Sequence, residues 1–388
     1  MTPARRIYAD YNATAPLRSE AKVAIASALD MTGNPSSVHA EGRKARTLVE
    51  GARETVAAAI GACRDDIAFT GGGTEAVGAP LRAAVLFGNV SLLISPIEHD
   101  AVASHASRDD HHSWFVAADG VVDLDSLKAD VARTVRQGLR PLVSLMLVNN
   151  ETGVIQPVTE AAEIVHAAGG LIHCDAIQAL GKIDVSIIDL DVDYLSLSAH
   201  KIGGPHGVGA LYVKPGAPFR AVQTGGGQEF GRRAGTENVA GVVGFGAALE
   251  AALHGIAGYR ALASHRDRME SRLKAVAQTL QVHGGTAPRI AGVSCLGIEG
   301  LPSETQIMGL DLAGFALSAG SACSSGKVKP SRVLTAMGLS DTAARSSIRA
   351  SFGWNSTPGE FEALADAWIK MAARARPQLV NSNADANA

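Results

Sequence analysis

The chain has 388 residues, of which 46% are hydrophobic and 19% charged, with a formal net charge of −3. That is enough apolar chain to bury a sizeable core, and it excludes disorder as a global description. There is no basic excess to displace counterions and only 4% aromatic residues to stack bases, so nucleic acid is not an expected partner.

Taken in chain order, the start places Arg5 and Arg6 before polar Asp10 and Asn12 rather than before an apolar run, so no signal peptide is read there. Leu48, Ala52, Val56 and Ile60 recur every fourth residue and predict a half-buried helix. A strand is expected over 67–70, followed by three glycines and a helix from Thr74. Strands are expected over 90–95 and 142–148, and Gly169-Gly170 closes a helix. Further strands fall at 171–174, 194–197 and 209–213, then helices at 239–255 and 262–280. The longest apolar stretch, 239–249, is far short of the roughly 20 residues a membrane span needs. This alternation predicts an α/β fold with a large, mostly parallel sheet over 14–255. A smaller α/β domain is expected from 256–388 together with 1–13, and the 381–388 tail (NSNADANA) is expected to be disordered.

Four segments carry candidate chemistry. In Thr70-Gly71-Gly72-Gly73-Thr74-Glu75 a strand runs through glycines into a helix N-terminus, where free amides and the helix dipole suit a single phosphate. A plain tight turn fits that segment alone equally well. In Ser198-Ala199-His200-Lys201, a lysine at a strand end in a glycine-rich turn can be desolvated, and such an amine condenses with aldehydes. In His173-Cys174-Asp175-Ala176-Ile177-Gln178, Asp175 stands at a strand's C-terminal end, where α/β sheets hold ligands. Each signal is weak alone. In this order they match what pyridoxal 5'-phosphate requires: an imine-forming lysine, an acid for the ring nitrogen and a phosphate cup.

The fourth segment is Ser318-Ala319-Gly320-Ser321-Ala322-Cys323-Ser324-Ser325-Gly326, part of a loop expected over 318–330. Cys323 sits among small polar residues, with Lys327 and Lys329 nearby to favour a thiolate, and reads as reactive. Cys63 and Cys295 lie beside apolar segments and read as packing residues, as does Cys174 on its strand. No two cysteines have metal-ligand spacing, so no metal is expected, and free thiols in a reducing cytoplasm are.

These stretches make the chain resemble the cysteine desulfurases of the NifS/IscS type, within the class V aminotransferase group. Also shared are Gly33-Asn34-Pro35, Glu98-His99, Asn149-Asn150-Glu151-Thr152-Gly153, Gly235-Thr236-Glu237-Asn238 and Ile348-Arg349-Ala350-Ser351, in the family's order. The resemblance implies an aspartate-aminotransferase-like fold of type I, pyridoxal phosphate as cofactor, L-cysteine as substrate and L-alanine as product. Sulfur would leave as a Cys323 persulfide for an acceptor such as an iron–sulfur scaffold. Lys201 would hold the cofactor through its amine and Asp175 would pair with the ring nitrogen. Gln178 and Asn150 would lie around the ring hydroxyl, and His99 would stack on the ring. Gly73, Thr74, Ser198 and His200 would hold the phosphate. Thr236 would reach the neighbouring subunit's phosphate, implying a homodimer. Arg349 and Asn34 would take the substrate carboxylate. A selenocysteine lyase or a class V transaminase shares the pyridoxal residues, and Cys323 is what favours desulfuration. The sequence departs from the family pattern at Tyr11, Val77-Gly78, Phe230 and Trp354.

Overall fold

The structure, a computed structural model, describes residues 6–106, 114–319 and 330–380, so Cys323 and the 381–388 tail lie outside the described residues. Six strands form the main sheet in the order Ile67–Thr70, Gly209–Val213, Tyr194–Ser198, Leu171–Asp175, Arg140–Ser144, Val90–Ile94. The last four run parallel to one another. Only Gly209–Val213 opposes its neighbours. The expected α/β fold with a mostly parallel sheet is therefore what forms. Every residue of the strands at 171–175, 194–198 and 209–213 is buried, as a sheet covered by helices on both faces requires.

The expected element boundaries move at two places. Sheet pairing of the 142–148 segment stops at Ser144, but the chain runs on beside its neighbour: Leu145 N and Leu147 N donate to the His173 and Asp175 carbonyls. The helix expected from 262 starts earlier, as Ile256–Val276, bent by 60° from Val239–His254. Among the described residues no single helix is long and apolar enough to cross a membrane.

A second, four-stranded sheet is antiparallel throughout, in the order Ser318–Ala319, Ser347–Ser351, Val293–Gly297, Gln281–His283. The N-terminal strand Ile7–Tyr8 pairs with Phe315–Ala316, and Asp10 bridges to Ser351. The first dozen residues thus run along the C-terminal sheet and then turn under the main one, where Ala15 N meets the His200 carbonyl.

Parallel strands deliver their C-terminal ends to one edge. That edge gathers residues 71–74, 98–99, 149–150, 175–178 and 198–201, the loops in which such sheets hold ligands. The outermost strand of the main sheet, 67–70, is tied down on its free side by Glu229. Its carboxylate receives Arg53 Nη1 and Nη2 and the Phe69 amide, the last at 2.8 Å. Arg53, on helix Ala40–Ile60, also lies over the Phe69 ring at 4.8 Å and the Phe230 ring at 5.1 Å. Glu229 and Phe230 are both left-handed, at φ 49° and 56°, a conformation that costs side-chain-bearing residues about 1–3 kcal/mol each. The buried ion pair holds them there. Glu229→Ala, which strands Arg53, is expected to lower unfolding free energy by about 3–5 kcal/mol in urea titration. A loss below about 1 kcal/mol would show the pair to be dispensable.

Candidate active site

Lys201 closes a single helical turn, Ala199–Lys201, directly after the 194–198 strand. Its Nζ donates to the Asn12 carbonyl at 2.7 Å and the Ala13 carbonyl at 2.9 Å. Burial, then the Arg349 charge, pull its pKa down to about 8, against opposing pulls from Asp175 and Asp10. A far larger share of this amine is neutral, and so nucleophilic, near neutral pH than in a free lysine.

Asp175 ends the central strand and is buried, with Oδ1 accepting from the Ile177 amide at 2.9 Å. Burial raises it to about 6, while the Ile177 N–H and Lys201 act the other way. A cation brought beside it would pull it back down and be held in return. Glu98 lies close by and is also buried. One oxygen accepts from the Met146 amide at 2.6 Å, and the other has no partner among the described residues. Burial, reinforced by Asp175, pushes Glu98 well above the carboxylate range and favours its neutral form. His99 caps a short helix by accepting the Ala101 amide on Nδ1 at 3.1 Å. That places the ring proton on Nε2. Burial first and Lys201 second lower its pKa, so the ring is kept neutral.

The segment expected to cradle a phosphate opens at Gly73, the first residue of helix Gly73–Val85. A Cβ at Gly73 would stand 2.6 Å from Ile177 Cδ1 and 3.4 Å from Ser198 Oγ, so only glycine leaves this corner open. The Ser198 hydroxyl facing it is buried and, among the described residues, without a partner. Thr74 is exposed at the cradle's rim.

Arg349 reaches the same edge from the second sheet. Its Nη2 donates to Asp10 Oδ1 at 2.8 Å and its Nη1 to the Asn150 carbonyl at 3.1 Å. Among the described residues its buried Nε has no acceptor, and the buried Asn150 Oδ1 has no donor. Asp10 also receives the Ser318 hydroxyl at 2.6 Å. Gln178 donates from Nε2 to the Asn12 carbonyl at 3.0 Å and accepts from Lys182 Nζ at 2.6 Å.

Lys201, Asp175, His99, Gln178, Asn150, Arg349, Ser198 and Gly73 therefore converge. Two expected residues, Asn34 and Thr236, stand apart from this cluster, and a third, His200, lies beside it with its ring turned toward the N-terminal segment. His200 turns its Nδ1 to Thr14 Oγ1 at 3.3 Å, with its ring 5.3 Å from that of His206, and its pKa falls to about 4 through burial and then Lys201. Asn34 is exposed and spends its side-chain oxygen on the Ser36 amide at 2.9 Å. Thr236 is exposed, and among the described residues no hydrogen bond joins it or Asn34 to the Lys201 cluster. Cys323 lies outside the described residues, but both neighbouring segments are anchored at the site. Ser318 is the cross-strand partner of Arg349, while Ser331 donates to Glu151 and Arg332 to the Glu98 carbonyl.

One cysteine expectation is corrected. Cys63 is exposed, because the helix ends at Gly61 and the chain turns outward before the 67–70 strand. Cys174 and Cys295 are buried as expected, and burial pushes both thiols up, away from the thiolate. Among the described residues no cluster suits a metal ion. Sequence reasoning gave no role to Asp10, Asn12, Glu98 or Lys182. The i+4 spacing of Lys182 from Gln178 was the one local hint.

A family model described as "Aminotransferase class-V" matches residues 7–364. A protein named cysteine desulfurase in Cereibacter sphaeroides is 40% identical over 371 residues, spanning 93% of this chain and 94% of that one. Another of that name, from Klebsiella pneumoniae, is 40% identical over 354 residues, spanning 89% and 87%. The solved structure of a NifS-like protein from Rickettsia africae ESF-5 superposes with a TM-score of 0.85 at 30% identity, covering 95% of this chain and 99% of that one.

Proposed function

The chain belongs to the class-V aminotransferase family, and from that premise we propose that it is a cysteine desulfurase that uses pyridoxal 5'-phosphate to take sulfur from L-cysteine, giving L-alanine. One juxtaposition carries the reading. A desolvated Lys201 amine, a buried Asp175 carboxylate and an unpartnered Ser198 hydroxyl facing Gly73 share one sheet edge. An orphaned buried hydroxyl beside an open helix N-terminus is what a phosphate group satisfies, so these residues fit the cofactor.

Bound pyridoxal phosphate supplies an aldehyde and a ring that withdraws electrons from the substrate's α-carbon. Lys201 would hold it, and Asp175 would face its ring nitrogen as a carboxylate. Gly73, Thr74, Ser198 and His200 would receive the phosphate. His99 would lie against the ring, with Asn150 and Gln178 around the ring oxygen. Lys201 would also serve as the base for the substrate's α-proton, for which its depressed pKa suits it. The Arg349 guanidinium, with a buried N–H that lacks an acceptor among the described residues, would take the substrate carboxylate, with Asn34 drawn in beside it. The Cys323 thiolate forms a bond to the substrate sulfur as the carbon–sulfur bond breaks. The sulfur stays on Cys323 as a persulfide, and the carbon product takes up a proton and leaves as alanine.

Thr236, exposed on each chain, would reach the neighbouring subunit's phosphate, making a homodimer the working unit. The persulfide then passes to an acceptor protein, an iron–sulfur scaffold or another. Purified protein loaded with pyridoxal phosphate and given L-cysteine and dithiothreitol is expected to release alanine and sulfide in equal amounts. Formation of a keto acid without alanine would sink the reading.

A further inference from the structure

We infer that Lys182 is a positioning residue that decides which end of the Gln178 side chain faces the cofactor ring. This rests on the reading above that Gln178 lies beside the ring oxygen. Lys182 is buried and its Nζ meets two amide groups, Gln178 Oε1 at 2.6 Å and Asn12 Oδ1 at 3.1 Å. An ammonium has N–H donors and no acceptor, and a neutral amine still has two N–H groups for these two contacts. Both amide oxygens are therefore claimed. The Asn12 amide nitrogen is free to donate, and does so to the Asn150 carbonyl at 3.0 Å. One hydrogen on Gln178 Nε2 goes to the Asn12 carbonyl, the acceptor that also receives Lys201 Nζ. With its oxygen held toward Lys182, the second Nε2 hydrogen is the one donor Gln178 has left to offer. Without Lys182 the amide is free to turn over and present an oxygen, which would repel an oxygen of the ring.

The charged groups acting on Lys182 are Lys201 and Arg349; with burial as the larger cause, they bring its pKa to about 7. A donor on the ring oxygen stabilises that oxygen's anionic form, and so lowers the pH at which the bound cofactor's visible band changes.

The test is the pH titration of that band in the holoenzyme and in three variants. Lys182→Met is expected to raise the midpoint by about one unit, a tenfold change in proton affinity. Gln178→Leu, which removes the donor outright, is expected to raise it similarly. Lys182→Gln fills the same space and keeps a donor for Gln178 Oε1, so it is expected to move the midpoint less than half as far. It also carries the test should the methionine variant not fold. A shift in Gln178→Leu without one in Lys182→Met overturns the inference, as does a Lys182→Gln shift matching that of Gln178→Leu. An unmoved midpoint in Gln178→Leu removes instead the reading that Gln178 meets the ring.

Discussion

Lys201→Ala is expected to abolish turnover, lowering it by more than about 10⁴-fold, because the proposed mechanism asks one side chain to be both the covalent anchor and the base. Borohydride treatment should then leave no cofactor mass on the protein, whereas the parent chain should gain it on Lys201. The same amine predicts a pH dependence. Its pKa is drawn down to about 8, chiefly by burial and then by Arg349. Only the neutral amine attacks an aldehyde, and neutral amine accumulates as pH rises through that value. The rate at which cofactor-free protein captures pyridoxal phosphate should therefore climb up to about pH 8 and flatten above it. A midpoint at the ordinary lysine value would mean the amine is not desolvated. A reducible linkage surviving in Lys201→Ala would move the anchor to another lysine, Lys182 being the nearest candidate by burial.

For Cys323→Ala the expected outcome separates cofactor from sulfur chemistry. The visible band should be kept and the spectral response to L-cysteine should persist, while alanine and sulfide production falls by about 10³-fold or more. In the parent chain, mass spectrometry after a single turnover should find one extra sulfur on the peptide that contains Cys323. The other three cysteines offer poor alternatives. Cys174 and Cys295 are buried with raised pKa values, and Cys63 is exposed beyond the end of helix Ala40–Ile60. Its position in the connection to the 67–70 strand leads away from the edge that holds Lys201. Extra sulfur on Cys63 in place of Cys323 would overturn the assignment.

Much of the site was legible because its signals are local. Gly73 before a helix, Asp175 at the end of an apolar strand and Lys201 in a glycine-rich turn are each written within a few residues. A parallel sheet brings such strand ends to one edge without further instruction. The departures at Tyr11 and Trp354 were unreadable for the opposite reason. In the fold they meet behind Lys201, where Tyr11 packs on Gly353, Trp354 lies against Arg18, and both line a small cavity with Lys182. More than 300 residues separate them in the chain. Cys63 was misread because apolar neighbours in sequence say little about exposure where a helix has just ended.

By itself, the sequence determined the alternation of strands and helices, a helix following the 71–73 glycines, and the chemical types available at each strand end. These follow from backbone sterics and the period of apolar residues, which act over a few positions. Tertiary structure alone decided that Asp10 faces Arg349, that the Asn12 carbonyl receives Lys201, and that Lys182 claims the Gln178 oxygen. The first joins the two ends of the chain and the second ties its start to its middle. The third links residues four apart that the sequence spaces suitably but only burial commits to each other, because a donor needs a protein partner once folding has removed the water that would otherwise serve.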